Sequence, residues 1–196
     1  MNMKSNVFLA ALPSYDNRVV LTQKILACEA KRSPLAKVNW SHTDELHITL
    51  GFIPSIEENE FRKIALALTE VSRNAPFMAH TSEVRAYGNA LVLRMEPHPH
   101  FLSIHRKMNQ ALLTNTEQQY QFDTQKRFDP HITVGRIRNL DSLNLMHRQQ
   151  LLSLVAEQFQ NVSFLIQQAA LLRRSPRSQS LPAYETLQLY PLNGTK

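Results

Sequence analysis

The sequence predicts an α+β fold of two lobes, related by an approximate twofold axis, each a mainly antiparallel sheet with helices packed outside and a cleft between them. Three observations carry this: β-rich apolar runs alternate with helical periodicities, one short motif occurs twice, and no low-complexity linker separates the two halves. The chain is therefore expected to form a single two-lobed domain over residues 1–196. Of these 196 residues, 43% are hydrophobic and 19% charged, enough apolar material for one sizeable core. The single cysteine, Cys28, excludes an intrachain disulfide and falls in a helix-like apolar pattern where a buried thiol is expected. Near the amino terminus only residues 7–12 form an apolar run before Pro13, too short for a signal-peptide core or a membrane span. A cytoplasmic location and no membrane association are expected, and the protein is expected to act as a monomer.

The elements follow in order. Residues 7–12 read as a strand buried on both faces and stopped by Pro13. From residue 14 to about 31, Tyr15, Val19, Leu21, Ile25 and Cys28 recur near helical spacing, and Ser33-Pro34 ends the segment. Residues 46–53 are β-branched and apolar and read as a strand closed by Pro54. Ser55 with Glu58 reads as a capping box for a helix running to about residue 73, with Phe61, Ile64, Leu68 and Val71 on one stripe. Residues 77–85 and 90–95 form a hairpin around Tyr87-Gly88-Asn89. The alternation then restarts with a helix at 99–113, a strand at 128–137, a helix at 141–159, and strands at 162–172 and 184–190.

The repeat is His47-Ile48-Thr49-Leu50-Gly51, which returns as His131-Ile132-Thr133-Val134-Gly135 and uses two of the four glycines. No other histidine in the chain has threonine two positions on. In a strand, residues i and i+2 share a face, so each histidine projects with its threonine while the isoleucine between them enters the core. Two imidazoles that titrate near neutrality allow one to accept a proton while the other donates one. Hydroxyls on the same faces can stabilise charge on anionic oxygens. In-line displacement at phosphorus needs groups on opposite sides of the phosphate, which is what a twofold pair of motifs supplies. The net charge of +6 favours a polyanionic partner.

On these residues the sequence resembles the 2H phosphoesterases, whose hallmark is a pair of His-x-Thr/Ser-x motifs. Residues 46–52 and 128–136 look most like the bacterial and archaeal RNA 2′,3′-cyclic phosphodiesterase branch, also known as the 2′-5′ RNA ligase family. The opening strand, the motif separation, Tyr184 and the ending Leu189-Tyr-Pro-Leu192 extend the likeness over nearly the whole chain. It departs at residues 85–96, which lack an aromatic pattern often seen there, and at Asp129, where the family frequently carries His. The resemblance implies that His47 and His131 are the catalytic pair and that Thr49 and Thr133 hold phosphate oxygens. It also implies that Arg136, five residues past His131, contacts the phosphate with its planar fork, and that Phe52, five past His47, packs against a nucleobase.

The implied activity is hydrolysis of RNA 2′,3′-cyclic phosphate ends to 2′-phosphomonoesters without metal or other cofactor, with RNA or an oligoribonucleotide as partner. His131 is expected as base and His47 as acid. The alternatives are 2′-5′ RNA ligation, hydrolysis of other small cyclic or 2′-5′ phosphodiesters, a catalytically silent RNA-binding protein and a metal hydrolase. His98, His100 and His105 have no Cys or carboxylate at ligand spacing, so no metal site is expected there. The basic stretch 173–180 reads as a loop beside the cleft that can meet RNA phosphates.

Overall fold

Why β1 (Lys4–Pro13) is apolar at successive positions follows from its two covered faces. Val7, Leu9 and Ala11 enter the main core, while Phe8 and Ala10 join a smaller cluster with Ala170 and Leu172. The computed structural model describes residues 4–117, 120–123, 128–175 and 183–194. α1 (Tyr15–Lys31) begins where the Ser14 side chain accepts a hydrogen bond from the Asn17 backbone N–H at 3.3 Å, and it buries Leu21, Ile25 and Cys28. After β2 (Val38–Trp40) and β3 (Ile48–Glu57) comes α2 (Phe61–Ala67), which tightens into a 3-10 helix over Leu68–Arg73. β4 (Phe77–Tyr87) and β5 (Ala90–Met95) form the expected hairpin, in which Gly88 takes the positive φ of 58° at the first turn position. α3 (Pro99–Asn115), β6 (His131–Ile137), α4 (Leu145–Gln158), β7 (Ser163–Arg174) and β8 (Tyr184–Pro191) complete the order.

Among the described residues all strand pairings are antiparallel. One half of the sheet runs β3-β1-β7-β8 and the other β2-β6-β5-β4. They join at two seams: the single pair Ile48↔Ile132 between β3 and β6, and residues 77–80 of β4 against 163–166 of β7. Six strands thus close a circuit, with β2 and β8 added at its flanks. α2 and α3 pack on each other near β3 and β8, whereas α1 packs on α4, which lies against β4. Among the described residues no helix is long and apolar enough to cross a membrane.

Pro54 does not close the third strand, and Ser55 caps no helix. β3 continues to Glu57 through an irregularity in its pairing with β1, where Ser5 faces Ile56 and Val7 faces Ile53. Ser55 sits there with φ 58°, its backbone N–H donating to Asn6 Oδ1 at 3.1 Å. A proline is tolerated at such a bulge because the ladder is already interrupted. The fourth helix begins at Leu145 rather than 141, after a 3-10 turn over Leu140–Ser142, with Asn144 accepting from the His147 N–H. β6 begins at His131, immediately after Pro130, which lacks a ladder donor.

Both copies of the repeat carry the same bulge. Opposite β3, Leu9 pairs with Gly51 and Ala10 with Thr49, leaving Leu50 extra. Opposite β6, Leu91 pairs with Gly135 and Val92 with Thr133, leaving Val134 extra. Each bulge shifts the alternation by one residue, so the face shared by His and Thr continues at Phe52 and Arg136 rather than at the glycines. The glycines instead face tight packing: a Cβ on Gly51 would stand 2.3 Å from the buried Phe122 ring, and one on Gly135 would stand 2.9 Å from Trp40. Gly51→Ala is expected to destabilise the fold by about 1–3 kcal/mol, the usual cost of overpacking a well-filled core, measured by urea denaturation.

Candidate active site

Ile48 and Ile132 are fully buried partners, and the two motifs run antiparallel through them. One residue outward on either side, the register sets position 47 across from 133 and position 49 across from 131, all turned away from the core. Both His-Thr pairs therefore line one cleft of about 1010 Å³ together with Arg136, Arg174 and Tyr184. β2 and Ser41 form its wall beside the second motif, where Ser41 Oγ donates to the Thr133 carbonyl at 2.9 Å.

The histidines are held alike. His47 Nδ1 lies 2.6 Å from the Glu45 carbonyl oxygen, and His131 Nδ1 lies 2.7 Å from the Asp129 carbonyl oxygen. A carbonyl only accepts, so Nδ1 carries the proton and Nε2 is left as the free nitrogen of the neutral ring. Each ring also meets the edge of a tyrosine: Tyr184 against His47 at 5.1 Å and Tyr87 against His131 at 5.4 Å between centroids, both near perpendicular.

Their surroundings differ. Phe8 covers His47 at 5.1 Å, and the Glu45 carbonyl is steadied by a 3-10 turn in which the Glu45 carboxylate accepts from the His42 N–H at 2.8 Å. Burial pushes the His47 pKa down to about 4, opposed by the bond to Glu45 and assisted by repulsion from His131. Beside His131, the Asp129 carboxylate accepts from the Tyr87 hydroxyl and from Arg94 Nε at 3.0 Å, and Arg94 also binds Glu83. Burial works to raise the Asp129 pKa, but these bonds and the Arg94 charge hold it below the usual carboxylate range.

Phe52 lines an adjoining recess of about 420 Å³ with Phe8 and Asn6, which shares His47, Thr49, Arg174 and Tyr184 with the main cleft. The structure thus brings together His47, His131, Thr49, Thr133 and Arg136, with Phe52 one step to the side. Of the basic stretch, Arg174 reaches the cleft, and Arg173 is taken by Glu185 and Glu58; the part of that stretch beyond residue 175 lies outside the described residues. Phe8, Tyr87 and Ser41 escaped the sequence reading because each meets its histidine or threonine across the fold. The carbonyls of Glu45 and Asp129 stand two residues before their histidines, but spacing alone does not show that each ring turns back onto the main chain. His98 and His100 stack with Phe77, and His105 bonds the Leu50 carbonyl. Among the described residues no three His, Cys, Asp or Glu side chains are grouped to hold a metal ion.

With this geometry in view, the chain matches the family described as the 2′-5′ RNA ligase superfamily over residues 29–177. Among solved structures it is similar to Escherichia coli LigT complexed with 3′-AMP, at TM-score 0.67 and 16% identity, covering 97% of this chain and 99% of that one. A protein of Thermus thermophilus gives TM-score 0.69 at 18% identity, covering 98% and 99%. A structure described as a phosphoesterase gives TM-score 0.68 at 16% identity, covering 99% and 100%. No curated protein matches by sequence.

The depressed His47 pKa has two readouts. The imidazole proton resonances of His47 are expected to titrate with a midpoint near pH 4 rather than near 6.5. Because the unfolded chain binds that proton first, stability present above about pH 6.5 should be lost progressively as pH falls towards about 4, and His47→Gln should flatten that part of the profile.

Proposed function

The chain belongs to the 2′-5′ RNA ligase superfamily, the 2H phosphoesterases, and on that premise we propose that it hydrolyses RNA 2′,3′-cyclic phosphate ends to 2′-phosphomonoesters by two-histidine acid-base catalysis. One observation carries the reading: two His-Thr pairs face a single cleft across the Ile48–Ile132 bridge, each imidazole tethered through Nδ1 to a carbonyl. That tether leaves two Nε2 atoms for proton transfer on opposite flanks of a phosphate, as in-line displacement requires.

In the proposed reaction, the cyclic phosphate lies between the motifs with its non-bridging oxygens on the Thr49 and Thr133 hydroxyls and on the Arg136 guanidinium. Neutral His47 accepts a proton from water through Nε2 as the water oxygen bonds to phosphorus. The P–O3′ bond breaks, and protonated His131 delivers its Nε2 proton to O3′, leaving a phosphate on O2′. One proton enters His47 and one leaves His131, so solvent exchange resets the pair. The low pKa of His47 supports giving it the role of base, which reverses the roles expected for the two histidines from sequence. Phe8, Phe52 and Tyr184 offer an aromatic wall beside His47 for the terminal nucleobase.

An oligoribonucleotide ending in a 2′,3′-cyclic phosphate, incubated with the protein in chelator, is expected to yield the 2′-phosphate. His47→Ala and His131→Ala should each lower kcat/KM by roughly 10²–10⁴, and Thr49→Val or Thr133→Val by roughly 10². Product analysis by chromatography decides: no conversion, or conversion by the histidine variants at the wild-type rate, refutes the reading. Joining to a 5′-hydroxyl oligonucleotide, scored on the same samples, separates ligation from hydrolysis. In the pH profile of wild-type kcat/KM, the acid limb is expected to fall near pH 4.

A further inference from the structure

The two copies of the repeat solve one backbone problem in different ways. A bulged strand leaves carbonyls outside the regular ladder, and buried carbonyls need partners. In the second copy β2 supplies them from the main chain: the Ser41 N–H donates to the Val134 carbonyl at 3.0 Å, and Asn39 pairs with Arg136. Among the described residues the first copy has no such strand alongside. Its carbonyls at Leu50 and Phe52 are met by His105 Nδ1 at 2.6 Å and by the Asp123 backbone N–H at 2.7 Å.

His105 is built into this place. Its ring stacks on Phe128 at 4.4 Å and lies 5.2 Å from Phe122, the ring that covers Gly51. One turn further along α3, Asn109 Oδ1 accepts from the Phe122 N–H at 2.6 Å. Positions four apart share a helix face, so α3 presents His105 to the β3 backbone at Leu50 and Asn109 to the backbone of Phe122, whose ring covers Gly51. His105 thus holds Leu50, and Asn109 steadies the Phe122 ring over Gly51, between the Thr49 and Phe52 side chains that line the site.

We propose that His105 is a positioning residue: by holding the bulged Leu50 carbonyl it sets the placement of Thr49 and Phe52, doing for the first motif what β2 does for the second. The inference rests on the functional reading of Thr49 and Phe52 above. His105 lies outside the cleft, and its effect passes through the β3 backbone.

Two variants separate the bond from the packing. H105F keeps a ring on Phe128 but has no donor, whereas H105N places an amide N–H the same number of bonds from the backbone as His Nδ1. H105F is expected to lower kcat/KM by roughly ten- to a hundredfold, the scale of a displacement of about 1 Å. Amide hydrogen exchange at residues 49–53 should become faster, while the acid limb set by His47 stays in place. H105N should restore both activity and protection, which a purely structural ring would not do. Should H105F not fold, H105L carries the same comparison. Wild-type kcat/KM with unchanged exchange in the donor-less variant, or failure of H105N to restore either, overturns the proposal. If the wild-type protein itself turns over no cyclic end, the functional reading fails, and exchange at 49–53 alone decides whether His105 sets the bulge.

Discussion

The antiparallel pairing of Ile48 with Ile132 is one bridge between two buried side chains, and it sets the relative register of the two motifs. With the isoleucines directed into the core, the residues on either side must turn the other way, so a single hydrophobic requirement orients four polar side chains at once. The matching bulges then extend the polar face to Phe52 and Arg136, which simple alternation would have turned inward. A slip of either strand by one residue would bury that strand's histidine and expose its isoleucine, a change the core cannot accommodate.

Similar motifs nonetheless make unlike environments. His47 stands among Phe8, Tyr184 and a peptide carbonyl, a setting that disfavours charge. His131 stands beside a polar chain in which Asp129 is gripped by Tyr87 and Arg94. The lowered proton affinity of His47 therefore arises from its neighbours rather than from the motif, which both copies share. The resemblance flags Asp129 as a departure; its main-chain oxygen meets the ring, and its carboxylate reaches back to the opposite hairpin.

Much of this was legible in the sequence. Most strands and helices were, since hydrophobic periodicity and Pro13, Pro99 and Gly88 mark them locally. The four repeated polar residues stood out because a core has no reason to use the same His-Thr pair twice. Ser55 misled, because a Ser-x-x-Glu spacing describes a capping box whether or not the backbone is free to start a helix. Here Asn6 of β1 had already claimed the Ser55 N–H. Tyr87, Phe8 and His105 were illegible as site residues, because their partners lie 42 to 55 positions away for Tyr87 with Asp129 and His105 with Leu50, and 39 for Phe8 with His47. Contacts of that range follow from topology, which pattern alone does not supply.

The two seams between the half-sheets differ in extent: four residue pairs join β4 to β7, and a single pair joins β3 to β6. The shorter seam is the one that runs beneath the cleft. Relative breathing of the lobes would therefore pivot about the longer seam and be felt most between the two motifs. An anion held from both sides would work there as a strut, adding its own contacts across the seam where a single main-chain pair joins the two half-sheets. A filled cleft would then be stiffer across this seam than an empty one.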